Sequence, residues 1–454
     1  MKKKWVAICL ILVMLLTACG REENPVKRGK QREAKSEDTS EKVTVMPTAE
    51  PTVEPTATPT KEPDKQRTLR MWCNVPKNDS QRYAYEKAIQ EMSELYPNVR
   101  LSWEGIDNQS YIVKLPSAVA TDSLPDIYVS WSAVNLRELV EEGCAYNLND
   151  VYSDYRQMLP EHMCKNMKVD GIQYGIPTNY STIQLFVNMD LIRDVGYSAV
   201  PDTWDELLIC CDKLRAMGYY PFGCASVTYE TWCISEYFET ILLKICGEKE
   251  LDQLYLGEKS WGSDDVVKAA ELLQQLVSKG YFDPKDAYRD NEDVFQRFLN
   301  GEYAFYINGS WQSPTIAANM SNPVIGDFPV LDSTRASTGC GIGGPSTSLV
   351  VSPSTEDPEF AAKYAFELAR LIAKYDYLSG AGLPAWTINY DDSDVNALSA
   401  QAAHDALQRG GLVLYGDNMM PAEDVQTYFF CLYHLCTLDY DANWFASALK
   451  TEIR

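Results

Sequence analysis

From Thr68 onward the chain switches repeatedly between two hydrophobic periods, and that alternation restricts the fold more than any other feature. In Thr68-Leu-Arg-Met-Trp72 apolar residues alternate around Arg70, the pattern of a strand. Tyr85, Ala88, Ile89, Met92 and Leu95 then fall at helical spacing within Asp79 to Tyr96, and Pro97-Asn98 stops the helix. Val99 to Trp103 returns as a strand, Tyr111 to Ala120 as a helix, Pro125 to Ser130 as a third strand, and Leu136 to Glu142 as a helix closed by Gly143. Strand–helix alternation of this kind predicts an α/β fold with a parallel sheet covered by helices on both faces. Such sheets bind ligands beyond the carboxyl ends of their strands, which nominates Trp72 with Asn74 and Ser130 with Trp131.

The second half repeats the logic. Gln184 to Asn188 reads as a strand. Thr203 and Glu206 form a capping box that opens a helix running to Met217 and ending at Gly218. Helical patterns follow at Glu230 to Ile245, Asp264 to Ser278 and Asn291 to Leu299.

The N-terminus belongs to a different regime. Lys2, Lys3 and Lys4 precede an uncharged apolar run from Trp5 to Leu16, too short to span a bilayer, which needs about 20 apolar residues. The run reads as an export signal over residues 1–18. Leu16-Thr17-Ala18-Cys19, followed by Gly20, resembles a bacterial lipobox, in which Cys19 carries the lipid, palmitate among its acyl chains, and becomes the first mature residue. Residues 19–67 lack Phe, Tyr and Trp after the lipobox and cannot bury enough apolar surface to order themselves, so a disordered stalk is expected. Pro47, Pro51, Pro55, Pro59 and Pro63 recur every fourth residue among Thr and Glu, which stiffens that stretch toward polyproline II, roughly 50 Å long at about 3.1 Å per residue. A lipid, a stalk and a head place the protein on the outer face of the cell membrane.

The head after Arg67 is longer than one hydrophobic core usually spans, so two lobes are expected. Net charge is −23, and −26 once the three N-terminal lysines are gone, which argues against nucleic-acid binding. Of 13 cysteines, Cys9 leaves with the signal and Cys19 takes lipid; the odd remainder is a poor disulfide framework, though one or two bridges stay open. Cys210, Cys211, Cys246 and Cys431 lie in apolar settings, where a free thiol packs as a small hydrophobe. No Gly-x-Ser-x-Gly, His-Glu-x-x-His or P-loop pattern is present, and the adjacent acids Asp264-Asp265 and Asp391-Asp392 point apart. Cys431-Leu-Tyr-His434-Leu-Cys436 sits on an apolar helix beside Phe429 and Phe430, a setting for packing rather than zinc. No enzyme, cofactor or metal is expected.

Several segments, in order, resemble the extracellular solute-binding proteins of the maltose-binding type (family 1), and the similarity covers essentially the whole head. They are Pro125-Asp-Ile127; Gly171-Ile-Gln-Tyr-Gly-Ile-Pro177 with Phe186-Val-Asn-Met-Asp190; Gly196 to Pro201-Asp-Thr-Trp204-Asp-Glu206; Gly301-Glu-Tyr-Ala-Phe-Tyr-Ile-Asn308-Gly309-Ser-Trp311; and Gly341-Ile-Gly343-Gly344 before Leu349-Val-Val-Ser352. Phe186-Val187 replaces the family's usual Tyr before the Asn, and Phe305 its usual Met. The resemblance implies a two-lobed periplasmic-binding-protein-like fold with a hinge and an interlobe cleft. It places one lobe at 68–179 plus 346–382 and the other at 183–342 plus 388–454, with crossings near Thr178–Thr182, Gly343–Pro345 and Leu383–Trp386. It also implies a monomer that binds a solute, a sugar or oligosaccharide first of all, and hands it to the permease subunits of an ABC importer.

A sugar presents hydroxyls around its rim and C–H groups on its faces, so its site needs flat aromatic platforms and a few hydrogen-bonding groups. Trp311 matches the family's stacking tryptophan by position. Thr178, Asn179 and Tyr180 fall in the first crossing, Gly343 and Gly344 in the second, and Trp386 in the third; Tyr229 and Trp232 open a helix where the family places aromatic contacts, with Glu230 between them. The rival readings are the same fold holding a polyamine, a peptide or another small polar ligand, and a surface glycoside hydrolase built on two carboxylates.

Overall fold

A computed structural model describes residues 66–226, 231–329, 331, 340–408 and 411–453. Cys19, the stalk, Tyr229 and Glu230 lie outside the described residues. In chain order the strands are β1 (Arg67–Cys73), β2 (Val99–Gly105), β3 (Ile127–Trp131), a small hairpin of β4 (Lys168–Val169) and β5 (Ile172–Gln173), β6 (Gly175–Pro177), β7 (Ser181–Asn188), β8 (Tyr220–Gly223), β9 (Tyr303–Gly309), β10 (Pro323–Gly326), β11 (Cys340–Gly344), β12 (Thr347–Val351) and β13 (Gly411–Val413). They make two main sheets. One has the order β2-β1-β3-β12-β6; the other runs β13-β11-β7-β9-β8, with β10 also on β7.

The first sheet begins as the periodicity predicts. β1 pairs in parallel with β2 over its whole length and with β3 at Met71 and Trp72. Leu69, Met71 and Cys73 alternate inward and are buried against helix α1 (Arg82–Leu95), whose Ala84, Tyr85, Ala88 and Met92 face them. Helix α2 (Asn108–Ala120) starts where the Asp107 side chain accepts the Ser110 N–H, and helix α3 (Val134–Glu141) follows β3. The three strands read from the periodicity are parallel as expected, and two further strands complete the sheet. β12 runs antiparallel to both β3 and β6. β12 enters this sheet directly from β11 of the other one, without a strand–helix–strand unit, so the handed parallel crossover does not govern it; β6, reached from β3 through helices, runs parallel to β3.

The second sheet is mostly antiparallel around β7, which is buried along its full length between β9 and β10 and meets β11 at its start. Helix α4 (Trp204–Ala216) opens on the Thr203 side chain accepting the Glu206 N–H at 3.3 Å, as its capping box predicts. Helix α5 (Thr231–Cys246) is buried nearly all round on this sheet, polar residues included. The 22-residue helix α6 (Pro358–Ser379) covers the first sheet and packs on α1 and β12, ending at Gly380 with φ +81. Two later helices matter below: α7 (Gly416–Met419), which reaches α3, and α8 (Ala422–Cys436), which packs on α5. The eleven cysteines of the head are free thiols, all but Cys144 and Cys436 buried; Cys210, Cys211, Cys246 and Cys431 pack inside as their apolar settings predict.

Beneath α7, helix α5 buries two carboxyls. Glu239 accepts the Tyr428 hydroxyl and the Gly416 N–H, both at 3.3 Å, while Glu236 Oε2 has no partner. Desolvation, then the nearby Asp417, pushes Glu239 up from 4.5 to about 8; desolvation with Glu239 and Asp417 pushes Glu236 up as well. Below the unfolded value both states hold the proton and no penalty exists; as pH rises toward 8 the unfolded chain releases it and the fold does not, so stability falls. Thermal melts of the wild type should therefore lose stability between pH 5.5 and 8.5, by at most about 1.4 kcal/mol per pH unit for each such proton. Glu239→Gln should flatten that decline; an unchanged slope would place the titration elsewhere.

Candidate functional site

Three segments carry the chain between the two sheets, and they set where any cleft between them must open. The first, Thr178-Asn179-Tyr180, joins β6 to β7 and is buried throughout. The second leaves β11 at Gly343 and Gly344, which pair with Thr182 and Ser181, and enters β12 past Ser346, whose carbonyl accepts the Ser132 N–H at 2.9 Å. A Cβ on Gly343 would sit 2.3 Å from the Ser181 carbonyl oxygen, and both glycines hold positive φ (+148 and +135). Only glycine suits that approach and that backbone. The third runs from the end of α6 through Trp386 toward the helix Ala397–Gln408, which packs on β7 and β10. The first and third are tied by a reciprocal backbone pair, Tyr180 N–H to Leu383 O at 3.1 Å and Leu383 N–H to Tyr180 O at 2.9 Å.

Around these crossings the nominated side chains divide into two kinds. Trp311 and Trp232 are half-buried and lie together, ring centroids 6.3 Å apart at 53°. Trp311 follows β9 in a short 3-10 turn, Ser310–Gln312, and its indole folds back over Gly309, where a Cβ would lie 2.0 Å from the ring. The strand end is fixed beneath it: Asn308 donates to the Tyr306 hydroxyl at 2.9 Å, and that hydroxyl donates to Asn291 at 2.8 Å. Ser310 Oγ accepts the Thr182 N–H at 3.2 Å, anchoring the turn to the first crossing. On the other sheet Trp131 ends β3, half-buried, with its ring edge against Tyr111 at 5.8 Å. Ser130 beside it is fully buried, accepting the Ser348 hydroxyl through its carbonyl. Asn74, just past β1, is half-buried.

Three other nominations are occupied structurally. Trp386 is 5% exposed, its indole N–H donates to the Pro177 carbonyl at 2.8 Å, and its ring meets Tyr155 and Phe366 edge-on. It is a post inside the first sheet's core, not a platform, because the third crossing turns its side chain back beneath β6. Trp72 carries Lys114 over its face at 4.1 Å, and Lys114 is itself held by Glu104, so that face of the ring is taken. Tyr180 is enclosed at the crossing.

Sequence reasoning missed two groups near the crossings. Tyr415 is buried and shares a 2.8 Å hydrogen bond with Ser181 Oγ, linking the start of β7 to the entry of α7; nothing in its local pattern marks it. Ser132, beside Trp131, buries a hydroxyl without a partner. Elsewhere a recess of about 550 Å³ is lined by Asn149, Tyr152, Arg156, Glu161 and Lys168, none of them a nominated residue. His434 of the Cys-x-x-His-x-Cys segment pairs with Asp439 at 2.9 Å among Phe430, Tyr433 and Tyr440.

The fold is shared with known proteins. The sequence model of a family described as bacterial extracellular solute-binding protein matches residues 77–374. The chain is 22% identical over 304 residues to a multiple sugar-binding protein of Streptococcus mutans, a match covering 65% of this chain and 70% of that one. A structure from a study of xylan utilization by the thermophilic bacterium Caldanaerobius polysaccharolyticus superposes with a TM-score of 0.80 at 24% identity, covering 85% of this chain and all of that one. A chitin oligosaccharide binding protein gives 0.76 at 18% identity, with 85% and 97% covered.

Proposed function

The chain belongs to the bacterial extracellular solute-binding protein family, and from that premise we propose that it captures a sugar or oligosaccharide between its two sheets and delivers it to an ABC importer. The observation that carries this reading is the Trp232–Trp311 pair, two half-buried indoles at the end of the second sheet and beside the crossings. Flat aromatic faces suit the C–H faces of a pyranose, and two adjoining tilted rings suit a ligand longer than one sugar. Trp131 stands at the corresponding end of the first sheet, so each sheet offers one side of a clamp. The family is one of binding proteins rather than enzymes, and the relatives named above, described in connection with sugars, xylan and chitin oligosaccharides, favour a carbohydrate.

The lobes are assigned to 68–179 with 346–382 and to 183–342 with 388–454. Ligand contact is assigned to Trp131, Trp232 and Trp311, with Asn74 and the backbone at Gly343 and Gly344; Tyr229 belongs with Trp232 on sequence alone. Trp72, Ser130, Asn179, Tyr180 and Trp386 hold the frame. A strongly acidic surface does not attract anionic solutes; between a neutral glycan and a cationic polyamine, the adjoining indoles favour the glycan. Lipid at Cys19 would keep a monomeric head within reach of the permease on the outer face of the membrane. Cys19→Ser should release the protein into the medium and abolish incorporation of labelled palmitate; continued membrane retention would contradict the anchor.

Calorimetric titration with xylo- and chito-oligosaccharides tests the site. Trp311→Ala should weaken binding about 30-fold, a loss on the order of 2 kcal/mol. Trp386→Ala should instead cost about 3–5 kcal/mol of stability through the cavity it leaves. Binding unaltered in Trp311→Ala would remove the indole pair from the site.

A further inference from the structure

Asp376 lies in the last turn of α6, completely buried. One of its carboxyl oxygens accepts the Asn179 side-chain N–H from the first crossing; the other, Oδ1, has no partner. Its backbone carbonyl accepts the N–H groups of Ala381 at 2.9 Å and Gly382 at 3.3 Å, the opening of the third crossing. Gly382 is there because nothing larger fits: a Cβ would lie 2.1 Å from Asp376 Oδ2 and 2.9 Å from Asn179 Nδ2. One residue thus grips two of the three crossings, through its side chain and its main chain, at positions one to two residues from the reciprocal Tyr180–Leu383 pair.

We propose that Asp376 is a positioning residue for solute capture, acting through Asn179 to lock the first and third crossings together and releasing that lock when its carboxyl ionises. The consequence for capture rests on the sugar-clamp reading; the lock itself does not. A carboxyl with one bonded and one bare oxygen is tolerable inside a protein while it is neutral. Once charged, it leaves an unsolvated anion, and conformations that admit water to the crossings gain. Burial pushes Asp376 up from 3.8 to about 7, the Asn179 bond opposes that rise, and Asp79 adds to it. The groups facing it are acidic or phenolic: Asp79 from the turn before α1, Tyr85 from α1, and Tyr390 from the segment after Trp386. Asp79 is itself held above its usual value by desolvation. The lock therefore holds below neutral pH and loosens above it.

Hydrogen–deuterium exchange of the full chain without ligand reads this directly and is independent of which solute binds. After correction for intrinsic exchange, protection of peptides spanning 178–184 and 380–386 should fall about tenfold from pH 6 to pH 8 in the wild type, following the carboxyl's titration. In Asp376→Asn, which keeps the shape and cannot ionise, the same peptides should change less than about twofold. A purely structural role would lower protection equally at both pH values. Wild-type protection that ignores pH, or Asp376→Asn that tracks the wild type, overturns the proposal. Asn179→Ala supplies a second arm should Asp376→Asn fail to fold. It should reduce protection in 380–386, a segment to which residue 179 does not belong, and wild-type protection there would also overturn it. Failure of every sugar to bind would undo the clamp while leaving these outcomes readable.

Discussion

Two buried sheets that share a chain must exchange it somewhere, and the exchanging backbone has neither sheet to satisfy its polar groups. In this protein the first and third crossings solve that problem on each other, through the paired N–H and C=O groups of Tyr180 and Leu383. The second crossing is satisfied by β7 and by Ser132, at the expense of two glycines in backbone that other residues rarely adopt. Everything else about the site follows from where those bonds are. Ser181 and Thr182, at the start of β7, take Tyr415 and Ser310 as partners, and Ser310 opens the turn that aims Trp311. In the proposed clamp, three crossings held this closely would confine relative motion of the sheets to a bend about one line.

The same bonds divide the tryptophans by role. An indole that finds a carbonyl for its N–H and aromatic edges for its ring, as Trp386 does, has been absorbed into the core. Trp232 and Trp311 keep part of their surface open beside the crossings, where a ligand could cover it. Family membership makes the chain a solute-binding protein; the proposal puts the solute at these indoles, whose chemistry suits a glycan.

Much of the architecture was legible because it is local. The helices Asp264–Ser278 and Asn291–Leu299 start and stop where their patterns do, since the Ser263 and Asp290 side chains cap them by accepting the N–H of Val266 and Asp293. The lipobox and stalk, and Tyr229, are legible only as sequence. What the pattern could not carry is pairing at a distance. β12 meets β3 across more than two hundred residues, and no local period records that it does so antiparallel. The occupation of Trp72 by Lys114 depends on α2 lying over β1 and β2, which is tertiary information. Asp376 left a faint sign, an acid within a helix of otherwise inward apolar residues, but its meaning depends on Asn179, far away in sequence.

Small-angle scattering of the mature protein, with and without a saturating oligosaccharide that calorimetry has identified as a ligand, is the most direct test of a clamp. A radius of gyration that contracts on binding, with the contraction absent in Trp311→Ala at the same sugar concentration, is the expected result. Full occupancy with no contraction would mean that the ligand sits on one sheet alone and that the crossings do not bend.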